Sequence, residues 1–338
     1  MQVWGRRPQR VQGRALAFLP VSTPNPANRR LLRLLSGRKG TGGALMDPAQ
    51  PPTPAFLAQL RARTNRAMLP RWLPRLPLKS VHETTIPGPA GPMRLRTYRP
   101  RGRVHGTVLF LHGGGFVHCG LDSHDGICCR LARASGCVVA SLDYRLAPEH
   151  PFPAATEDAH AALGWIAAHA DTLGGLPLAI AGDSAGANLA AVACQLALAR
   201  DTARPAFQLL YYPCTHGLTD VPSRFEYAEG HFLTTELMQW YMARYLDDER
   251  HAADPRFAPY LADSLAGLPP ALVITAECDP LRDEGAQYAA RLAADGVPAR
   301  HVCYPGTIHG FINFYPLVPD GRRAIAEGGH AIRDAFAA

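Results

Sequence analysis

A short apolar segment followed by a glycine-flanked serine constrains this chain more than any other feature. Residues 178–181 are Leu-Ala-Ile-Ala, residues 182–186 are Gly-Asp-Ser-Ala-Gly, and an alanine-rich run follows at 187–199. The pattern predicts a buried strand, a tight turn that contains Ser184, and a helix. Glycines two positions before and after Ser184 let the two backbones pass closely, and the helix N–H groups favour developing negative charge. The arrangement is typical of a serine nucleophile, although alone it also fits a plain glycine-rich turn.

A second glycine-rich segment follows the apolar residues 106–111, which predict another buried strand. It runs from His112 through Gly113, Gly114 and Gly115 to Phe116. Three successive glycines cost backbone entropy, so the segment needs a functional reason. Close approach to a substrate, with free backbone N–H groups directed at an oxyanion, supplies one. The alternative is a flexible loop, which the preceding strand and the following aromatic residue argue against.

Predicted strands and helices alternate along the rest of the chain. The strands are predicted at 137–142, 207–212, 271–276 and 299–304, and the longer helices at 154–170, 232–247, 282–295 and 324–336. Such alternation predicts an α/β fold with a largely parallel sheet covered on both faces, and two strands within 80–98 would add an antiparallel edge. Functional residues of such sheets lie at the carboxyl ends of the strands.

A reactive serine needs a base, and the base needs a carboxylate that fixes its tautomer. Asp279 follows a predicted strand and precedes a proline, so we expect it to supply the carboxylate, with Glu277 as the rival. His309 lies in a Pro/Gly-rich loop after the last predicted strand and is the expected base, although a lone histidine can also be a hydrogen-bonded core residue. Two further acidic residues, Asp283 and Glu284, are expected to complement the dipole of a helix.

The positive charge of the chain is confined to its first 46 residues. The formal net charge is +7, but residues 1–46 hold nine of the 35 basic residues and no acidic residue, which leaves 26 basic and 28 acidic residues in the remainder. Nucleic-acid binding by the remainder is therefore not expected. Residues 1–46 could be a disordered arm, a transit peptide or sequence upstream of the true start at Met46; we favour the last.

Cysteine usage and hydropathy place limits on the cellular context. The eight cysteines are scattered without a C-x-x-C pair, which predicts a reducing, cytoplasmic setting with neither disulfides nor a metal site. No apolar run is long enough to span a bilayer, so stable membrane insertion is not expected.

Six segments in a fixed order resemble the bacterial hormone-sensitive-lipase-like family of α/β-hydrolases, which are serine esterases. They are residues 112–116, 143–149, 152–155, 182–186, 279–283 and 309–311. The resemblance covers roughly residues 80–320. It implies an α/β-hydrolase fold, with a mostly parallel central sheet, helices on both faces and a small helical cap. Residues 47–78 would be N-terminal cap helices, and 79–338 the hydrolase domain with a cap contribution around 216–250.

The resemblance also implies roles for individual residues. Ser184 would be the nucleophile, His309 the general base and acid, and Asp279 the orienting carboxylate. The oxyanion hole would consist of three backbone N–H groups, those of Gly113, Gly114 and Ala185. His112, Tyr144, Arg145 and Glu149 would be scaffold residues.

The expected reaction is hydrolysis of short- to medium-chain acyl esters through an acyl-enzyme, without a metal or another cofactor. Candidate pocket walls, each of which could instead belong to the core, are Phe116, His118, Tyr212, Phe232, Ile308 and Phe311. An arylacetamide-type deacetylase or a lactone or carbamate hydrolase would use the same triad. A receptor similar to the plant gibberellin receptors would lack the catalytic histidine, so His309 argues against it. The expected partner is a small-molecule ester, and the resemblance implies a possible homodimer through the last strand.

Overall fold

The computed structural model describes residues 22–36, 52–66, 77–217 and 220–338. The strands within these ranges are β1 (Ser80–Ile86), β2 (Met93–Arg99), β3 (Thr107–Leu111), β4 (Val138–Asp143), β5 (Leu178–Asp183), β6 (Phe207–Tyr211), β7 (Ala271–Cys278) and β8 (Ala299–Ile308). They form one sheet in the order β1-β2-β4-β3-β5-β6-β7-β8. The pairs β1–β2 and β2–β4 are antiparallel and the other pairs are parallel, as the sequence predicts.

Helices cover both faces of this sheet. In the described ranges they are α1 (Pro26–Ser36), α2 (Pro54–Thr64), α3 (Asp125–Ser135), α4 (Ala154–Ala168), α5 (Ala185–Ala199), α6 (Pro222–Glu226), α7 (Thr235–Tyr245), α8 (Arg282–Ala294) and α9 (Pro319–Ala337). Side chains of β3 alternate between the two faces. Val108 and Phe110 pack with α3 and α9, whereas Leu109 and Leu111 pack with α4 and α5. The α/β class predicted from the alternation is confirmed.

The parallel register brings the carboxyl ends of the central strands to one edge of the sheet. Leu111 of β3 pairs with Gly182 of β5, and Asp183 pairs with Tyr211 of β6. The residues that follow β3, β5, β7 and β8 therefore lie close together, which is the arrangement expected for a site in a parallel sheet.

Helices α2 and α7, from the two predicted cap segments, lie near this edge and line the same cavity as Ser184. Helix α7 begins after Thr234, whose Oγ1 caps it by accepting a hydrogen bond from the N–H of Leu237 at 3.1 Å. The structure describes α2 from the predicted cap segment 47–78, and Leu57 of α2 is buried in the core. Residues 47–51 and 67–76 of that segment lie outside the described ranges.

Part of the predicted basic arm packs on the domain. Asn25 donates its backbone N–H to the carbonyl of Gly306 at 2.8 Å, and Ser22 Oγ donates to Glu277 Oε1 at 2.8 Å. Leu31 of α1 is 3% exposed and packs in the same core as α3 and α9. Of the three interpretations of residues 1–46, a disordered arm does not describe residues 22–36, whereas 1–21 and 37–46 lie outside the described ranges.

Among the residues that the structure describes, no helix combines the length and the apolar character needed to cross a bilayer.

Candidate active site

Ser184 occupies the sharp turn between β5 and α5. Its backbone has φ 54° and ψ −121°, a conformation that costs a non-glycine residue about 1–3 kcal/mol. The turn requires glycine on both sides. A Cβ on Gly186 would collide with the carbonyl of Leu111, and one on Gly182 would collide with the carbonyl of Gly186. The predicted close passage of the two backbones is confirmed.

A chain of two hydrogen bonds connects Ser184 to a buried carboxylate. His309 Nε2 lies 2.9 Å from Ser184 Oγ, and His309 Nδ1 lies 2.8 Å from Asp279 Oδ2. Asp279 is fully buried, and its second oxygen accepts the N–H of Leu281 at 2.9 Å. A carboxylate at Nδ1 keeps the proton on that nitrogen, so that Nε2 is free to accept the serine proton. The arrangement can generate a serine nucleophile.

The rival carboxylate points elsewhere. Glu277 Oε2 accepts the N–H of Gly306 at 2.6 Å, and its other oxygen accepts the hydroxyl of Ser22. Glu277 therefore fixes the segment before α1 and the turn within β8, and the structure brings Asp279 rather than Glu277 to His309.

The glycine loop differs from the prediction at one position. Gly113 donates its N–H to Asp183 Oδ1 at 2.9 Å, so this group is not available to an oxyanion. The loop then turns at Gly114 and Gly115, with φ of 116° and 60°. Within the described part of the chain, no protein group accepts the N–H of Gly114, Gly115 or Ala185, and all three residues line the cavity. The predicted availability of the Gly113 N–H is therefore wrong, and the unpaired N–H groups at the cavity are those of Gly114, Gly115 and Ala185.

The carboxylate of Asp183, the residue before Ser184, contacts four groups around this loop. Besides Gly113, its carboxylate contacts His124 Nε2 at 3.0 Å, Asn313 Nδ2 at 3.0 Å and the Tyr212 hydroxyl at 3.3 Å. Burial favours a higher pKa for Asp183, but His124 and the hydrogen bonds outweigh burial and lower it. Sequence reasoning missed this role, although a carboxylate at the end of a buried strand indicates that partners must surround it.

His112 has the scaffold role that the resemblance implies. Its Nδ1 bonds to the carbonyl of Gly113 at 2.8 Å, its ring stacks on Tyr144 at 4.3 Å, and the Tyr144 hydroxyl donates to the His112 carbonyl at 2.6 Å. Burial lowers the pKa of His112 to about 3, so the ring is neutral at pH 7. Arg145 pairs with Asp158, and Glu149 pairs with Arg61.

A cavity of about 440 Å³ opens above Ser184 and His309. Of the predicted walls, Phe116, His118 and Phe232 line it. Helices α1 and α7 contribute further apolar surface; the residues are Leu35 of α1, and Leu237, Met238, Tyr241 and Met242 of α7.

Three predicted pocket walls belong to the core instead. Tyr212, Ile308 and Phe311 are fully buried and pack in the core on the α3 and α9 side. The ring of Tyr212 lies 4.7 Å from that of His309 and supports it from beneath. Ile308 and Phe311 are neighbours of His309 in the chain, but the side chains of all three residues pack into the core and do not line this cavity.

Comparisons with known proteins agree with this geometry. A family model described as an alpha/beta hydrolase fold matches residues 108–313. The carboxylic ester hydrolase LipN of Mycobacterium tuberculosis is 47% identical over 249 residues, which are 70% of this chain and 65%, slightly less than two thirds, of LipN. Esterase LipI of the same organism is 41% identical over 275 residues, 78% of this chain and 85% of LipI.

A solved structure shares the fold over nearly the whole chain. It is an alpha/beta hydrolase enzyme from the metagenome of Lake Arreo, Spain, with a TM-score of 0.86 and 38% identity, and the match covers 94% of this chain and 99% of that one. The chain therefore belongs to the α/β-hydrolase family, within the group of hormone-sensitive-lipase-like esterases that its motifs resemble.

Proposed function

We propose that this protein is a serine carboxylesterase. The observation that carries the proposal is the continuous set of contacts from Asp279 through His309 to Ser184, at 2.8 and 2.9 Å, beside free backbone N–H groups. The names of the relatives LipN and LipI, a carboxylic ester hydrolase and an esterase, support the same reaction class.

The reaction proceeds in two halves. Ser184 Oγ attacks the ester carbonyl while His309 Nε2 takes its proton, and the resulting oxyanion lies against the N–H groups of Gly114, Gly115 and Ala185. Each such donor contributes about 3 kcal/mol to stabilising the transition state. His309 then protonates the leaving alcohol, and Asp279 stabilises the transient imidazolium. Water, deprotonated by His309, attacks the acyl-enzyme and releases the acid and free Ser184.

Apolar residues form most of the cavity wall, which supports esters with short- to medium-chain acyl groups as substrates. An arylacetamide-type deacetylase or a lactone or carbamate hydrolase would use the same residues. Neither alternative has an observation in its favour that the ester lacks.

Initial rates on p-nitrophenyl esters from acetate to palmitate test the proposal. The full-length protein is compared with Ser184→Ala, which keeps the cavity but removes the nucleophile. We expect rates that depend on Ser184 and are highest for short or medium chains, with a loss of about 10³-fold or more in the variant. Well-folded protein that hydrolyses none of these esters would contradict the proposal and favour the amide, lactone or carbamate alternatives.

We also propose a cytoplasmic location and a homodimer. All eight cysteines are free thiols, in keeping with a reducing compartment. Strand β8 lies at the edge of the sheet, where a second copy can pair with it, and its residues Arg300 and His301 are exposed. Light scattering after size exclusion tests the dimer: twice the chain mass supports it, and a single chain mass at all concentrations contradicts it.

A further inference from the structure

One contact between the glycine loop and α7 lies beside the unpaired N–H groups of the loop. Tyr241 projects from α7 into the cavity, and its ring lies directly against Gly115, where a Cβ would collide with it. The Tyr241 hydroxyl lies 2.6 Å from His118 Nε2, and the two rings are 5.5 Å apart. Tyr241 therefore contacts two residues of this region: Gly115, within the glycine loop, and His118, two residues after the loop ends at Phe116.

His118 is in turn fixed to the loop. Its backbone N–H donates to the carbonyl of Gly114 at 3.1 Å, and its Nδ1 lies 3.1 Å from Cys119 Sγ. Burial lowers the pKa of His118 to about 4, so that at pH 7 the neutral ring serves as a hydrogen-bond partner and not as a charge. A hydrogen bond in a mostly apolar cavity is stronger than one exposed to water.

The loop needs a restraint on its cavity side. Gly113 is held from beneath by Asp183, but Gly114 and Gly115 have positive φ and the freedom of glycine. Their N–H groups stabilise an oxyanion only when they lie about 2.7–3.1 Å from it. Tyr241 is in place to limit the movement of this part of the loop.

We propose that Tyr241 is a positioning residue for the reaction: by the hydrogen bond of its hydroxyl to His118, it holds the glycine loop so that the N–H groups of Gly114 and Gly115 face the oxyanion. This proposal rests on the proposed esterase function. It assigns α7 a part in the rate of the reaction as well as in the shape of the cavity. The effect belongs to the transition states and tetrahedral intermediates, because the bound ester carries no oxyanion.

The test separates positioning from substrate binding. Tyr241→Phe keeps the ring and removes the hydroxyl, and Tyr304→Phe is the matched control, since its hydroxyl also makes a 2.6 Å hydrogen bond, to Glu327, away from the cavity. For each protein, kcat and KM on p-nitrophenyl butyrate are measured, together with Ki for a trifluoromethyl ketone. That inhibitor forms a tetrahedral adduct with the serine and needs the oxyanion donors.

We expect Tyr241→Phe to lower kcat about tenfold, to leave KM within about twofold and to weaken Ki by about the same factor as kcat. Tyr304→Phe should leave all three within about twofold. His118→Leu should match Tyr241→Phe, and the double variant should lose little more than either single one, because both remove the same hydrogen bond.

Unchanged kcat and Ki in Tyr241→Phe, or a rise in KM alone, would overturn the proposal and make Tyr241 a cavity wall only. Additive losses in the double variant would also overturn it. A wild-type protein without Ser184-dependent hydrolysis would instead overturn the esterase function on which the proposal rests.

Discussion

The carboxylate of Asp183 accepts the backbone N–H of Gly113 at 2.9 Å, so the residue directly before the candidate nucleophile fixes the base of the glycine loop. Ser184 and the loop are thereby connected through one buried side chain. The same carboxylate contacts His124 and Asn313, which tie α3 and the segment after β8 to this point.

Replacing Asp183 should affect both stability and rate. In Asp183→Ala the N–H of Gly113 and the ring of His124 lose their partner, and we expect the free energy of unfolding to fall by about 3–5 kcal/mol. We also expect kcat to fall at least tenfold in the folded fraction, because the loop loses its anchor. Urea unfolding and steady-state kinetics check both. Wild-type kcat in folded Asp183→Ala would show that the anchor is unimportant.

The contribution of Asp183 should depend on pH. Although burial alone would raise its pKa, His124 and the hydrogen bonds lower the pKa in the folded protein. Its stabilisation is then complete above the ordinary value of about 4 and is lost as the pH falls through the lower folded value. Urea unfolding should give a constant difference between wild type and Asp183→Asn from pH 7 to about 5, and a smaller one below about pH 4. A difference that grows on acidification would contradict the sign of this shift.

The two acidic residues after β7 should be separable by mutation. Asp279→Asn removes the charge that orients His309, and we expect kcat to fall by about 10³- to 10⁴-fold. Glu277→Gln, the matched control, should leave kcat within about twofold because, among the described residues, the Glu277 carboxylate accepts hydrogen bonds from Ser22 and Gly306 and does not contact His309. Steady-state kinetics on one p-nitrophenyl ester distinguish them. Equal losses in both variants would mean that the assignment of the carboxylate is wrong.

Helix α1 should matter for stability and for substrate choice. Deleting residues 1–46 exposes the core around Leu31, and we expect a loss of about 2–3 kcal/mol in the free energy of unfolding. Leu35→Ala enlarges the cavity and should shift the preferred acyl chain to longer esters, whereas Leu34→Ala, at a residue 62% exposed, should not. Thermal unfolding and kcat/KM across chain lengths check this. If the deletion leaves the free energy of unfolding unchanged, residues 1–46 are dispensable for stability and the prediction for α1 is wrong.

Local patterns in the chain were sufficient to predict the sheet and to select Ser184, Asp279 and His309, which the structure brings into contact. Alternating apolar segments and turn residues located the strands, and the position after each strand located Ser184, Asp279 and His309. These features depend on neighbours in the chain and on the general rule for the carboxyl ends of parallel strands.

Features that depend on distant contacts were not predicted. The packing of α1 relies on Ser22 and Asn25 meeting backbone and carboxylate groups more than 250 positions away. The orientation of the Gly113 N–H depends on Asp183, 70 positions along the chain. Glu284 was expected to complement a helix dipole, but it also accepts the backbone N–H of Thr215 and pairs with Arg224.

The most direct test of the central claim is labelling with a fluorophosphonate, followed by intact mass and peptide mapping. The phosphorus reacts with a serine that a neighbouring base activates, so the label reports the state of Ser184 without any assumption about the substrate. We predict one phosphonyl group per chain, located on Ser184, absent in Ser184→Ala and formed at least 10³-fold more slowly in His309→Ala. No label on the folded wild-type protein, or a label on another residue, would contradict the proposed catalytic role of Ser184.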